Sequence, residues 1–108
     1  MQSQFAWMCS ACPFLMASRL ARCQPRLASV MQKAQDITDK AFSHILTVLN
    51  PNMTEIEVAA ELEYFMRKSG ASGFAFETIA VSGDVSALPH GTPRNVKLKH
   101  GFLTMDFG

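Results

Sequence analysis

No stretch of this chain reaches the roughly 20 consecutive apolar residues that a bilayer-spanning helix needs. The apolar run from Phe5 to Ala17 is interrupted by Ser10 and Pro13. A secretory signal carries its positive charge ahead of the apolar run, whereas here the arginines follow it. An excess of one charge sign is also missing. Ten Lys plus Arg stand against nine Asp plus Glu, for a net charge of +1. No global field therefore draws the chain to nucleic acid or to an anionic membrane surface. Three cysteines without regular spacing do not make a disulfide framework. Glycine and proline are too scarce, at 6 and 5 residues, for a collagenous chain. A 48% hydrophobic content argues against wholesale disorder. Walker A, Rossmann, H-E-x-x-H and G-x-S-x-G sequences are absent.

What is there is unevenly distributed. Residues 1–30 hold Arg19, Arg22 and Arg26 with no acidic residue, all three cysteines (Cys9, Cys12, Cys23) and the only tryptophan, Trp7. Residues 31–108 hold seven basic and nine acidic residues. This predicts two parts: a basic, Cys-containing and poorly ordered leader over 1–30, and a folded domain over 31–108. A transit peptide would need a basic amphipathic helix, which Pro13 and Pro25 weaken. A cytoplasmic location is expected, with organellar targeting the weaker alternative. Cys9 and Cys12 have C-x-x-C spacing, but no second ligand pair lies nearby for zinc, and the strand-to-helix setting of a redox motif is missing.

From about residue 27 a helical period appears. Val30, Ala34, Ile37, Ala41, Ile45 and Val48 form one apolar stripe, and Pro51 ends it. His44 sits beside the stripe and reads as a packing residue. A second helix announces its start with Thr54 and Glu57 at capping-box spacing, with Met53 and Val58 as the hydrophobic staple. Glu55 and Glu57 in the first turn and Arg67 and Lys68 in the last suit the helix dipole. Val58, Leu62, Phe65 and Met66 form the buried face, and Ser69-Gly70 the stop. Glu55, Glu57, Glu61 and Glu63 read mostly as a solvated face, with Glu63 and Arg67 as an i,i+4 pair.

Beyond Gly73 the period becomes two. Phe74 to Val81 reads as a strand, broken by Ser82-Gly83-Asp84. A loop with Pro89, Gly91 and Pro93 leads to a second strand over Phe102 to Phe107. There Leu103, Met105 and Phe107 share one face, and Phe102, Thr104 and Asp106 the other. The order helix, helix, strand, loop, strand predicts an α+β fold.

Two residues stand out chemically. Asp106 lies in a mostly apolar strand, where a carboxylate is costly unless paired, hydrogen-bonded or metal-bound; a strand end reaching water is the plainer reading. His90, in Leu-Pro-His-Gly, suits hydrogen bonding or proton transfer near neutral pH; an exposed loop histidine is the plainer reading. Asp-Phe-Gly matches the magnesium-binding triplet of kinases, but the catalytic and glycine-rich loops of that family are absent.

Taken in order, AQDITDKAF, MTEIEVAAELEYFMRKSGASGFAFETIAVSG, SALPHG and TMDFG resemble the first half of the pita-bread metallopeptidase domain, closest to Xaa-Pro aminopeptidases and Xaa-Pro dipeptidases (prolidases). The resemblance runs from about Met31 to Gly108 and implies helices over a partial antiparallel sheet. It implies two divalent metals, manganese or cobalt, held by two Asp, one His and two Glu, and a metal-activated water that attacks the peptide bond. By resemblance Asp106 is the first metal ligand and His90 contacts the substrate. The chain departs from the family at Pro51-Asn52, Asp84-Val85 and Gly101-Phe102, and neither site residue is touched. The remaining ligands of the pattern would follow Gly108, so the chain is expected to be inactive alone and to bind no metal stably. A peptide is the implied substrate. A pseudoenzyme or split-enzyme fragment is the alternative, joining a second copy or a complementing chain through its open sheet edge.

Overall fold

The structure is a computed structural model and describes residues 25–108. The Cys9–Cys12 pair, the apolar run and the targeting readings lie outside the described residues. The chain divides into two units, Met1–Lys33 and Ala34–Gly108. Of the first, the described part is the opening of helix α1, Pro25–Val48; the second holds every other element. These are α2, Glu55–Lys68; β1, Ile79–Ser82; a 3₁₀ turn, Gly83–Ala87; and β2, Leu103–Asp106. The strands pair antiparallel, with Ile79 opposite Asp106 and Ser82 opposite Leu103. The predicted α+β order is present. Among the described residues no helix is long and apolar enough to cross a membrane.

Helix α1 begins at a proline, tolerated there because the first helical N–H has no intrahelical acceptor. Its apolar stripe is buried only in part. Ala41 and Ile45 are fully buried and Ile37 partly, while Val30 is 62% exposed and Val48 38%. His44 joins the two helices: its ring stacks on Phe65 with centroids 4.3 Å apart, and Nε2 lies 2.7 Å from Glu61 Oε1.

The start of α2 is satisfied group by group. Thr54 N–H donates to Glu57 Oε2 at 2.6 Å, and Glu57 N–H returns to Thr54 Oγ1 at 3.2 Å. Glu55 N–H donates to Val96 O and Ile56 N–H to Arg94 O. The donors a helix N-terminus leaves open thus find partners in its own cap and in the segment 94–96. At the other end Gly70 takes φ +102°, Gly70 N–H donates to Arg67 O, and Ala71 N–H to Met66 O. This is the paired bonding of a Schellman stop.

Val58, Leu62 and Met66 are buried, with Ala59 beside them, and Phe65 is half-buried against this cluster. Three expectations need correction. Glu55 is not on a solvated face: it is fully buried. Arg67 does not pair with Glu63; its guanidinium lies 4.7 Å from the Phe74 ring centroid. An exposed ion pair contributes little, whereas a planar cation over a ring keeps its hydration and gains contact. The first strand is also shorter than its sequence suggests. Residues 74–78 are irregular, because β2 offers ladder partners only to Ile79–Ser82; Ala75 N–H instead donates to Gly108 O.

The cap gives a direct test. Thr54→Ala should cost about 1 kcal/mol of stability, measured by urea unfolding, and Thr54→Ser should recover most of it. A loss below about 0.3 kcal/mol would show that the Thr54 hydroxyl contributes little to the helix start.

Candidate functional site

Cross-strand partners lie on the same side of a sheet, so the register sorts the strands into two faces. Ala80 and Met105, with Phe107 beyond, belong to the hydrophobic cluster that includes Val58 and Leu62 of α2. Ile79 and Asp106, and Val81 and Thr104, share the opposite face. The expected split of β2 is therefore present, and Asp106 lies on the face turned away from α2. Asp106 is half-buried, and its carboxylate has no hydrogen-bond partner among the described residues.

Residues 83–98 leave β1, turn at His90 and return. Compact loops of this length with joined ends are Ω-loops. The loop lies against the face that carries Asp106. A Cβ at buried Gly91 would come within 3.0 Å of both Val81 methyl groups and 3.2 Å of Val85 Cγ1, so glycine permits this approach. Thr104 Oγ1 donates to Ser86 O at 3.0 Å. His90 itself is exposed, beside the buried anchor Gly91. The Ω-loop and Asp106 thus occupy one side of the sheet.

The neck of the loop is closed by Glu55, which comes from the helix side. Its Oε1 accepts from Ser82 N–H at 2.8 Å, Ser82 Oγ at 2.9 Å and Arg94 Nη2 at 2.7 Å. Its Oε2 accepts from Arg94 N–H at 3.0 Å and Arg94 Nε at 2.9 Å. Ser82 Oγ also accepts from Lys99 N–H at 3.1 Å. A buried carboxylate needs this much compensation, and the forked contact with arginine is its strongest form. The Arg94 hydrogen bonds, aided by Ser82 and opposed by burial, lower the Glu55 pKa from 4.5 to about 2. Glu55 in turn raises that of Arg94.

Among the described residues no group of three or more His, Cys, Asp or Glu is placed to hold a metal ion. Asp106 alone offers an uncommitted carboxylate on the loop-covered face. Glu57 caps α2 and Glu61 meets His44. Two divalent cations need several oxygen or nitrogen donors, so the described residues do not suffice for a dinuclear centre. The sequence reading missed Glu55 and Arg94. A signal for Glu55 existed: it precedes Val58 by three residues, Leu62 by seven and Met66 by eleven, the spacing of the buried stripe.

The profile of Metallopeptidase family M24 matches residues 29–108. The uncharacterized peptidase YqhT of Bacillus subtilis is 45% identical over 80 residues, covering 73% of this chain and 23% of that protein. A solved Xaa-Pro dipeptidase from Bacillus anthracis matches with a TM-score of 0.65 and 51% identity, over 69% of this chain and 21% of that one. The prolidase from Pyrococcus furiosus matches with a TM-score of 0.73 and 36% identity, over 79% and 27%. The fold is thus part of a pita-bread peptidase fold, two helices on an antiparallel strand pair. The chain belongs to metallopeptidase family M24, a family of divalent-metal hydrolases, and spans about a quarter of the length of these relatives.

The Glu55 carboxyl sets an acid limb. Its folded pKa lies below its unfolded value, so its contribution is complete above pH 4.5 and is lost as pH falls towards about 2. Urea unfolding followed from pH 7 to pH 2 should show a loss on the order of 3 kcal/mol from this group. In Glu55→Gln the same window should be flatter, from a lower starting stability. An unchanged acid slope in that variant would contradict the assignment.

Proposed function

We propose that this segment supplies part of the active site of a metal-dependent peptidase acting on Xaa-Pro peptides. In this reading Asp106 is one carboxylate ligand of a divalent metal pair, manganese or cobalt, and His90 contacts the substrate near the scissile bond. The observation that carries it is Asp106: a half-buried residue whose carboxylate has no hydrogen-bond partner among the described residues, on the sheet face that the His90 loop covers. The names of the matched Xaa-Pro dipeptidase and prolidase support the substrate class.

A metal pair would supply Lewis acidity and an activated water. The described residues do not complete such a centre, so their own contribution is narrower. Asp106 offers negative charge at a sheet face, and His90 offers an exposed imidazole that can donate to, or accept from, a peptide group. Hydrolysis requires ligands beyond the described residues. The 108-residue chain assayed alone is therefore expected to turn over no Xaa-Pro peptide.

The test combines metal binding and turnover. With the chain alone and Mn²⁺ or Co²⁺ added, hydrolysis of an Xaa-Pro dipeptide should be absent and stoichiometric metal binding undetectable. Weak Mn²⁺ association at high metal concentration should broaden NMR signals around Asp106 first, and Asp106→Asn should abolish that effect. Broadening centred on Glu57 or Glu61 would contradict the role given to Asp106. Turnover that disappears in Asp106→Ala would contradict the single-ligand account.

A further inference from the structure

The Ω-loop over 83–98 has two attachments on the sheet face it covers, Gly91 against Val81 and Thr104 Oγ1 to Ser86 O. Neither fixes where the loop begins and ends. That is done at the neck, where Ser82, Arg94 and Lys99 meet the Glu55 carboxylate or the Ser82 hydroxyl that it holds. Gly83 N–H adds a contact to Phe102 O. Glu55 stands in the first turn of α2 and does not belong to the loop-covered face. Its five acceptor contacts tie the outgoing limb, through Ser82, to the returning limb, through Arg94. Segment 94–98 is further bound to the helix start by Val96 O, Arg94 O and Leu98 N–H.

We propose that Glu55 is a positioning residue for His90: by clamping Ser82 and Arg94 it closes the neck of the loop and holds the tip, where His90 lies, over the face that carries Asp106. This rests on the proposed role of His90. The argument is mechanical and electrostatic. A loop of this length costs conformational entropy to close. A forked arginine–carboxylate contact with backbone and hydroxyl donors on the same carboxylate confines both limbs at once. Asp84, near the start of the loop, adds to the field that stabilises the Arg94 cation. Lysine at position 94 would keep the charge but lose the fork.

The experiment is backbone and imidazole NMR relaxation on the full chain, with Glu55→Gln and Arg94→Lys beside the wild type. In the wild type the Gly91 N–H order parameter should match the rigid level of about 0.85. In Glu55→Gln it should fall below about 0.6, and the His90 ring signals should gain mobility with it. Amides of Leu62 and Met66 in the middle of α2 should stay rigid. Arg94→Lys should give an intermediate loss, and it carries the same test should Glu55→Gln fail to fold. Rigid His90 and Gly91 signals in a folded variant would overturn the proposal. So would equal loosening of Leu62 and Met66, which marks a purely structural role. A separate titration of the wild type with an Xaa-Pro dipeptide keeps the two claims apart. His90 signals that ignore the peptide, together with a loosened tip in the variants, would overturn the role of His90 while upholding the clamp.

Discussion

The carboxylate of Glu55 is the constraint on which the second unit of this chain depends. It is fully buried, and it accepts hydrogen bonds from Ser82 at the end of β1 and from Arg94 on the returning limb of the Ω-loop. An unpaired charge in that position would cost several kcal/mol. The same cost makes the arrangement specific, since no other described group offers a forked donor pair at that place. A hydrophobic replacement of the whole cluster could fold as stably, but it would not dictate which points of the loop meet.

From this node the two faces of the sheet acquire different tasks. The side with Ala80, Met105 and Phe107 packs on α2 and carries hydrophobic stability. The side with Val81, Thr104 and Asp106 is covered by the Ω-loop and carries the uncommitted carboxylate. Glu55 links them, because it starts the packed helix and closes the loop on the other side. Stability and the placement of candidate chemistry thus share one interaction, and a change that weakens it should be felt in both.

Much of this was legible in the sequence, for reasons that are local. The Thr54–Glu57 box, the Ser69-Gly70 stop and the alternation in Leu103–Phe107 each depend on residues within a few positions. Their chemistry dictates their geometry without distant help. The buried stretch of α1 was only partly legible, since periodicity shows which face is apolar but not how many turns find a partner. The charge of Glu55 suggests a solvated face, whereas its spacing to Val58, Leu62 and Met66 puts it on the buried stripe. Arg94 could not be read at all. It lies 39 residues from Glu55, and no local pattern announces a partner at that distance. Asp106 and His90 stand out by residue type and family resemblance; that the loop carrying His90 packs on the sheet face of Asp106 follows only from strand register and the close approach at Gly91.

The measurement that bears most directly on this account is a double-mutant cycle between positions 55 and 94, using Glu55→Ala, Arg94→Ala and the pair, with stability read from urea unfolding at pH 7. If Glu55 is the shared anchor, either single change should be strongly destabilising, and the second should add little to the first. The coupling energy should then lie between about 1.5 and 3 kcal/mol. Additive effects, with coupling below about 0.5 kcal/mol, would mean that helix, strand and loop are held independently and that Glu55 is not the interaction that joins them.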